Sequence, residues 1–263
     1  MQLTNKVAIV TGASGGLGRA IALALAAQGA SLVLASRNTV ALEETQRQLS
    51  HIQEHGQRAI VVPTDVQDEA SVQHLVEETL RQFEGRIDIL VCNSGIAGPT
   101  APLIEVKIEQ WQETLATNLT GPFLCCRAVL PTMLEQQAGS VILIGSGTGK
   151  HPLIGRTPYA ASKIALVGMA RTLAMEVGPS NVRVNVVSPG PLDGERIQAV
   201  LQKQAELRHM SYEQIKAQAT SGSALKRFTP VQDVADTVVF LASDQAASIT
   251  GEDMNVSGGL VMV

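Results

Sequence analysis

An alternation runs almost from end to end of this chain and restricts its fold more than any other feature: short apolar runs alternate with longer segments of helical period. "KVAIVTG" opens the series and "GRAIALALAAQG" follows, with alanines and leucines recurring at three- and four-residue spacings until Gly29. The same alternation continues through "SLVLAS", "ALEETQRQLSHIQEHG", "RAIVVPTD", "ASVQHLVEETLRQFEG" and "IDILVCNSG". A long helix is then expected from about Ile108 to Gln136, a strand at "SVILIGS", a helix from about Pro158 to Val177 and a strand at "VRVNVVS". After an irregular stretch come a helix near "VQDVADTVVFLAS" and a last strand near "EDMNVSG". The strands are rich in Val, Ile and Leu without clean alternation, which is the pattern of strands buried on both faces. Repeated right-handed βα units of this kind predict the α/β class: a single-domain Rossmann fold, a doubly wound parallel sheet of about seven strands with helices on both faces.

Composition bears on how many domains the pattern fills. At 263 residues and 45% hydrophobic content the chain can bury one large core. No linker, charge run, low-complexity tract or repeat divides it, so one domain over 1–263 is expected. The net charge of −4 is spread over interspersed acids and bases, without the basic clustering that nucleic acid or an anionic membrane requires, so neither is an expected partner. The start "MQLTNKVAIVTG" has no signal-peptide run and no later stretch approaches a membrane-spanning length, which predicts a cytoplasmic protein. Cys92, Cys125 and Cys126 form neither a disulfide framework nor a metal spacing, and the histidines are scattered, so no metal site is expected and the thiols read as reduced and buried.

"TGASGGLG", Thr11 to Gly18, falls where the first strand turns into the first helix, the place for a phosphate-binding turn in this architecture. Gly12 permits the tight turn, Gly16 lets backbone approach a pyrophosphate and Gly18 allows close helix–strand packing, while the helix N-terminus supplies amides and partial positive charge. Ser14, Gly15 and Leu17 complete the candidate contacts. Folds that take NAD place an acid at the end of the second strand, but here the strand ends with Ser36, Arg37 and Asn38. A guanidinium there suits a 2′-phosphate, so NADP(H) is favoured over NAD(H), against an ordinary surface arginine. Asp65, with Val66 beside it, closes the third strand, either to cap the next helix or to accept from an adenine amine.

"YAASK" places Tyr159 four residues before Lys163, on one helical face, in a chain with two tyrosines. Ser146 ends the fifth strand thirteen residues before Tyr159, and Asn118 lies inside the preceding long helix. With "NSG" at Asn93, Ser94 and Gly95, "NLTG" around Asn118, and "NVVSPG" ending at Pro189 and Gly190, the chain resembles the short-chain dehydrogenase/reductase family over almost its whole length.

The resemblance implies that Tyr159 is the general acid/base, passing a proton to or from a carbonyl or alcohol oxygen. A free phenol has a pKa near 10, so work near neutrality needs acidification by roughly three units, about 4 kcal/mol, and the Lys163 charge is the available source. Ser146 would hold the substrate oxygen by hydrogen bonding. By the resemblance, Asn118 would kink its helix and hold a water linking Lys163 to solvent, and Tyr159 and Lys163 would also touch the cofactor. Many members carry a threonine where this chain has Gly194, and the backbone of Leu192 is a candidate replacement for that nicotinamide contact.

Residues from Pro191 to about Lys226 read as a substrate lid of one or two helices, against a helical outer layer without substrate contact, with Tyr212 as a packing or lid-surface residue. Lys150, His151 and Arg156 are expected in a solvated loop, within reach of an anionic substrate. The expected activity is NAD(P)(H)-dependent interconversion of a carbonyl and a secondary alcohol, with a 3-oxoacyl thioester as leading substrate. A polyol or other secondary-alcohol dehydrogenase is the alternative, and a non-catalytic dinucleotide sensor or scaffold is the alternative from another class. An acyl carrier protein would need a basic docking face, which "LEQQAGS" and "MEVGPSN" do not offer. The helices over 108–136 and 158–177 carry small apolar faces; in the family they form a dimer interface, so a dimer or tetramer of identical chains is expected.

Overall fold

A computed structural model of the chain describes residues 1–51 and 56–263, apart from the side chains of residues 195 and 196. Strands β1 (Val7–Thr11), β2 (Ser31–Ser36), β3 (Ala59–Pro63), β4 (Ile89–Cys92), β5 (Gly139–Ile144), β6 (Val182–Pro189) and β7 (Asp253–Val256) form one sheet in the order β3-β2-β1-β4-β5-β6-β7. Every pairing is parallel. Strand order reverses beside β1, whose neighbours are β2 and β4, and a crevice opens at such a switch point beyond the carboxyl ends of the strands.

The helices are α1 (Gly16–Ala27), α2 (Thr39–Leu49), α3 (Glu69–Gln82), α4 (Ile108–Leu115), α5 (Gly121–Gln136), α6 (Thr157–Val177), α7 (Glu195–Arg208), α8 (Tyr212–Ser221) and α9 (Val231–Ala242). They make two cores, one on each face of the sheet. Along β1, Val7 and Ile9 point into the layer with Leu75 of α3, Val129 of α5 and Leu166 of α6. Ala8 and Val10 point into the layer with Leu25 of α1, Leu42 of α2 and Val238 of α9. Each fully buried Val, Leu or Ile contributes about 1.5–3 kcal/mol, and this is why the strands are apolar at every position rather than at alternate ones.

Three expectations need correction or bounding. The helix of "ALEETQRQLSHIQEHG" closes at Leu49, and part of that stretch lies outside the described residues. Helix α3 is capped by Asp68, which accepts from the amides of Ala70 and Ser71, and not by Asp65, whose carboxylate takes the Gln67 amide at 3.0 Å. The third concerns the helix expected over Ile108–Gln136, which is broken into α4, a π turn at Ala116–Thr120 and α5. Pro122 has no N–H to return to the carbonyl of Asn118 four residues back, so a regular α-turn loses its bond there. The resemblance had implied a kink at Asn118, and the π turn stands at that residue.

Helices α7 and α8 lie between β6 and α9 and pack on each other through a small cluster of Leu201, Ala205 and Ile215, with Tyr212 against it. None of the described helices is long and apolar enough to cross a membrane.

Candidate active site

A cleft of about 1120 Å³ follows the carboxyl ends of the strands, and every candidate catalytic or cofactor-binding residue except Asn118 lines it. At its floor the phosphate turn has the shape its glycines allow. Gly12 adopts φ +67, and a methyl at Gly18 would sit 2.1 Å from the Gly12 carbonyl oxygen, so helix and turn are in contact there. At Gly15 and Gly16 a Cβ would meet nothing within 4 Å, and the α1 N-terminus has no side-chain cap. Open space over uncapped amides is what a pyrophosphate needs, so these residues fit the dinucleotide. Thr11, which the sequence reading did not single out, binds this turn to the next one: its hydroxyl accepts from the amides of Asn93 and Ser94, each at 3.0 Å. Asn93 in turn donates to the carbonyls of Thr11 and Gly12 at 3.0 and 3.2 Å.

Beyond β2, the Ser36 hydroxyl accepts from the Asn38 amide and the Asn38 side chain caps α2 through Ala41, so two of the three residues are spent on the turn. Arg37 is the extended one: its side chain is 68% exposed and stands 4.0 Å from Asp65 across the cleft mouth. The pair is loose enough for the guanidinium to meet a phosphate. Val66 lies beside Asp65 on the same wall.

At the opposite end Ser146, Tyr159 and Lys163 converge. Ser146 follows β5, and its oxygen accepts from the Thr148 amide at 3.2 Å; a hydroxyl used in this way still has its hydrogen to donate. Tyr159 is half-buried in the first turn of α6. One turn on, Lys163 is 5% exposed, and its ammonium donates to the Ile144 carbonyl at 2.7 Å and lies 5.9 Å from the Tyr159 ring centre. A methyl at Gly95 would come 3.5 Å from Lys163 Nζ and 3.2 Å from Asn118 Oδ1, so this glycine leaves room for both.

Asn118 is fully buried behind the wall. Its Oδ1 accepts from the Ile96 amide at 2.8 Å, and its Nδ2 donates to the Ile96 carbonyl at 3.0 Å and to Ser162 Oγ at 3.1 Å. Ser162 donates onward to the Tyr159 carbonyl at 2.7 Å. The side chain therefore ties the loop after β4 to the turn that carries Tyr159. Ser162, at i+3 from Tyr159 within "YAASK", went unremarked in the sequence reading, although that spacing placed it on the same helical face.

The loop between Ser146 and Tyr159 corrects another expectation. His151 is exposed, but Lys150 and Arg156 are not solvated. Lys150 pairs with Asp253 at 2.7 Å, their side chains 10% and 5% exposed, and also contacts Asn255, which joins the loop to β7. Arg156 is 4% exposed, its guanidinium 4.7 Å above the Tyr159 ring centre, with Nη1 donating to Thr100 at 3.0 Å. Pro189, Gly190 and Leu192 continue the wall past β6, and a bridge between Leu192 and Thr229 fixes the start of the segment that leads to Gly194 and α7.

Residues 12–261 match the family model described as "Enoyl-(Acyl carrier protein) reductase". The 3-oxoacyl-(acyl-carrier-protein) reductase FabG of Escherichia coli (strain K12) is 36% identical over 263 residues, covering 100% of both chains. A 3-oxoacyl-(acyl-carrier-protein) reductase of a Synechocystis species is 38% identical over 262 residues, 99% of this chain and 98% of the relative. Among solved structures, an NAD+-bound xylitol dehydrogenase superposes with a TM-score of 0.94 at 28% identity, covering 98% of this chain and 100% of the other. A levodione reductase follows at 0.91 and 30%, with 98% of each chain covered.

Proposed function

The chain belongs to the short-chain dehydrogenase/reductase family and is an oxidoreductase acting on CH–OH groups, and from that premise we propose that it reduces the 3-oxo group of an acyl substrate with NADPH. One observation carries the chemistry: Ser146, Tyr159 and Lys163 line the same cleft as the glycine turn, with Lys163 buried and held by the Ile144 carbonyl. When bound along the glycine turn, the dinucleotide would supply the hydride. Ser146 donates a hydrogen bond to the carbonyl oxygen and holds it beside the phenol. Tyr159 gives that oxygen its proton as charge develops, and the buried Lys163 ammonium favours the resulting phenolate. Asn118 positions the Tyr159 turn through Ser162. The Asn93–Gly95 loop, Pro189, Gly190 and the Leu192 backbone line the nicotinamide end, and α7 with α8 forms the lid over the substrate.

The 3-oxoacyl assignment is supported by full-length relatives named for that reaction. NADPH is supported by Arg37 at the end of β2, where no acid stands. A second reading, oxidation of a polyol with NAD, is favoured by the superposition on an NAD+-bound xylitol dehydrogenase. The deciding experiment is an assay of nicotinamide absorbance with both dinucleotides against acetoacetyl thioesters, simple ketones and polyols. Faster NADPH-dependent loss of absorbance with the 3-oxoacyl compounds is expected; faster NAD reduction with polyols would transfer the assignment to the second reading, and no turnover of any member would favour a non-catalytic dinucleotide binder. Exposed Phe123 on α5 and Ile164 on α6 support self-association through these helices, so light scattering is expected to give a dimer or tetramer, and a monomer would refute it. Free, buried cysteines suit a reducing compartment, and the cytoplasm is the proposed location.

A further inference from the structure

Proton transfer through Ser146, Tyr159 and Lys163 makes no use of α7, yet one face of this helix lines the cleft. Ile197, Val200, Leu201, Gln204 and Arg208 all border it, and their three- and four-residue spacings set them on one side of the helix. The first three are apolar, and Gln204 interrupts the run although it is 1% exposed. Half of its amide is accounted for: Nε2 donates to the Ile154 carbonyl at 2.6 Å. That bond also fixes which way the amide points, since the reversed amide would set two carbonyl oxygens against each other. The loop that accepts the bond is closely packed. The Ala101 amide donates to the Gly155 carbonyl at 3.0 Å, and a methyl at Gly155 would meet Leu207 of α7 at 2.7 Å.

The other half of the amide is left over. Gln204 Oε1 is buried and has no hydrogen-bond partner among the described residues. Buried polar groups are almost always paired, because an unmet acceptor has lost water and gained nothing in return. The position of Gln204 relates it to the reacting centre: Ile154 stands two residues before Arg156, whose guanidinium lies 4.7 Å over the Tyr159 ring centre. The dinucleotide would fill the end of the cleft at the glycine turn, so the rest of a substrate whose carbonyl sits at Ser146 and Tyr159 extends over α7. An amide oxygen among apolar side chains selects strictly there. It gains a bond from an O–H or N–H, gains nothing from a methylene, and repels the lone pairs of a carboxylate or an ester.

We infer that Gln204 is a specificity-determining residue whose Oε1 accepts a hydrogen bond from a neutral O–H or N–H that the substrate carries beyond its reacting carbonyl. This rests on the reading of the site as a 3-oxoacyl reductase and makes it more specific. The preferred substrate is an uncharged 3-oxoacyl compound with a donor at that place, either a hydroxyl on the acyl chain or an amide N–H on the thiol arm of a thioester. The two sources lie on opposite sides of the reacting carbonyl, so matched pairs of substrates separate them. Ile197, Val200 and Leu201 offer no competing polar contact, and a substrate lacking the donor therefore leaves the oxygen unmet.

The test uses two pairs. The first sets acetoacetyl-N-acetylcysteamine, whose thiol arm carries an amide N–H, against S-butyl acetothioacetate, whose arm carries no donor. The second sets ethyl 5-hydroxy-3-oxohexanoate against ethyl 3-oxohexanoate. Values of kcat/KM with NADPH are compared in wild type, Gln204→Met and Gln204→Asn, and NADPH binding is followed by fluorescence as the control for folding. Wild type is expected to favour the donor-bearing member of one pair by about 10-fold or more, and that pair identifies the source. Gln204→Met has no amide, and Gln204→Asn holds its amide one methylene short. Both are expected to bring the preference to within about twofold of unity with NADPH affinity unchanged. Poorer docking of α7 alone would lower both members of a pair alike, so a ratio as large in the variants as in wild type would overturn the inference. A wild type with no preference in either pair would do the same, the oxygen then being served by water, and in both cases the reductase assignment stands. Absence of turnover on all four compounds, with NADPH bound normally, would instead remove the reductase assignment and this inference with it.

Discussion

A methyl group at position 18 would stand 2.1 Å from the Gly12 carbonyl oxygen, and at position 15 it would touch nothing within 4 Å. The two glycines therefore do different things, and substitution separates them. Gly18→Ala is expected to destabilise the protein by about 1–3 kcal/mol, because helix α1 must move off the turn, and to weaken NADPH binding as a consequence. Gly15→Ala is expected to change stability by less than about 0.5 kcal/mol while still weakening NADPH binding, since its methyl would project into the space over the α1 amides. Urea unfolding and a fluorescence titration of the two variants check both statements. The tight turn at Gly12 and the close helix packing at Gly18 were legible in the sequence because turn and packing each require a residue without a side chain. Arg156 was not legible in this way: "IGRTPY" reads as a polar loop, and only the fold shows that Thr100 and the Tyr159 ring enclose it.

Among the elements, the strand–helix order could be read because parallel strands covered on both faces must be apolar throughout. Neither the interruption of the long helix nor the docking of α7 is written in that periodicity. The π turn has a local cause in Pro122, but what fixes it is the Asn118 side chain, whose partners Ile96 and Ser162 are 22 and 44 residues away in sequence. Contacts of that separation leave no periodic signal. Asn118→Ala is expected to cost about 1–3 kcal/mol, because it removes the side-chain partner of the half-buried Ile96 amide and carbonyl and of the Ser162 hydroxyl. The same variant is expected to lower kcat more than NADPH affinity, since Asn118 supports the Tyr159 turn and does not line the cleft. A stability loss with unchanged kcat would confine Asn118 to a structural role. Asp65 is a similar lesson: a strand-end acid and a helix-start acid lie three residues apart, and only geometry shows that Asp68 is the cap.

At the scale of the molecule, the sheet separates two cores, and the three thiols lie together in one of them. The Cys92 thiol is held well above its ordinary pKa, first by its hydrogen bonds with Cys125 and Cys126 and then by burial, so it stays protonated at pH 8. Iodoacetamide at that pH is expected to label none of the three in the native protein and all three after unfolding, as mass spectrometry would show. Rapid labelling of native protein would mean that the core opens far more readily than its packing allows. The same sheet brings a dinucleotide turn, from the first strand and helix, to one cleft with Ser146, Tyr159 and Lys163, from the fifth strand and sixth helix. The account's central claim is that this one cleft binds the dinucleotide and carries out proton transfer through Tyr159. The measurement that tests it most directly is NADPH affinity and steady-state reduction in wild type and Tyr159→Phe side by side. The account predicts a Kd within about threefold of wild type, because the glycine turn and Arg37 are untouched, and a fall in kcat of at least about 1,000-fold from loss of the proton donor. Retained turnover, or parallel loss of binding and turnover, would contradict it.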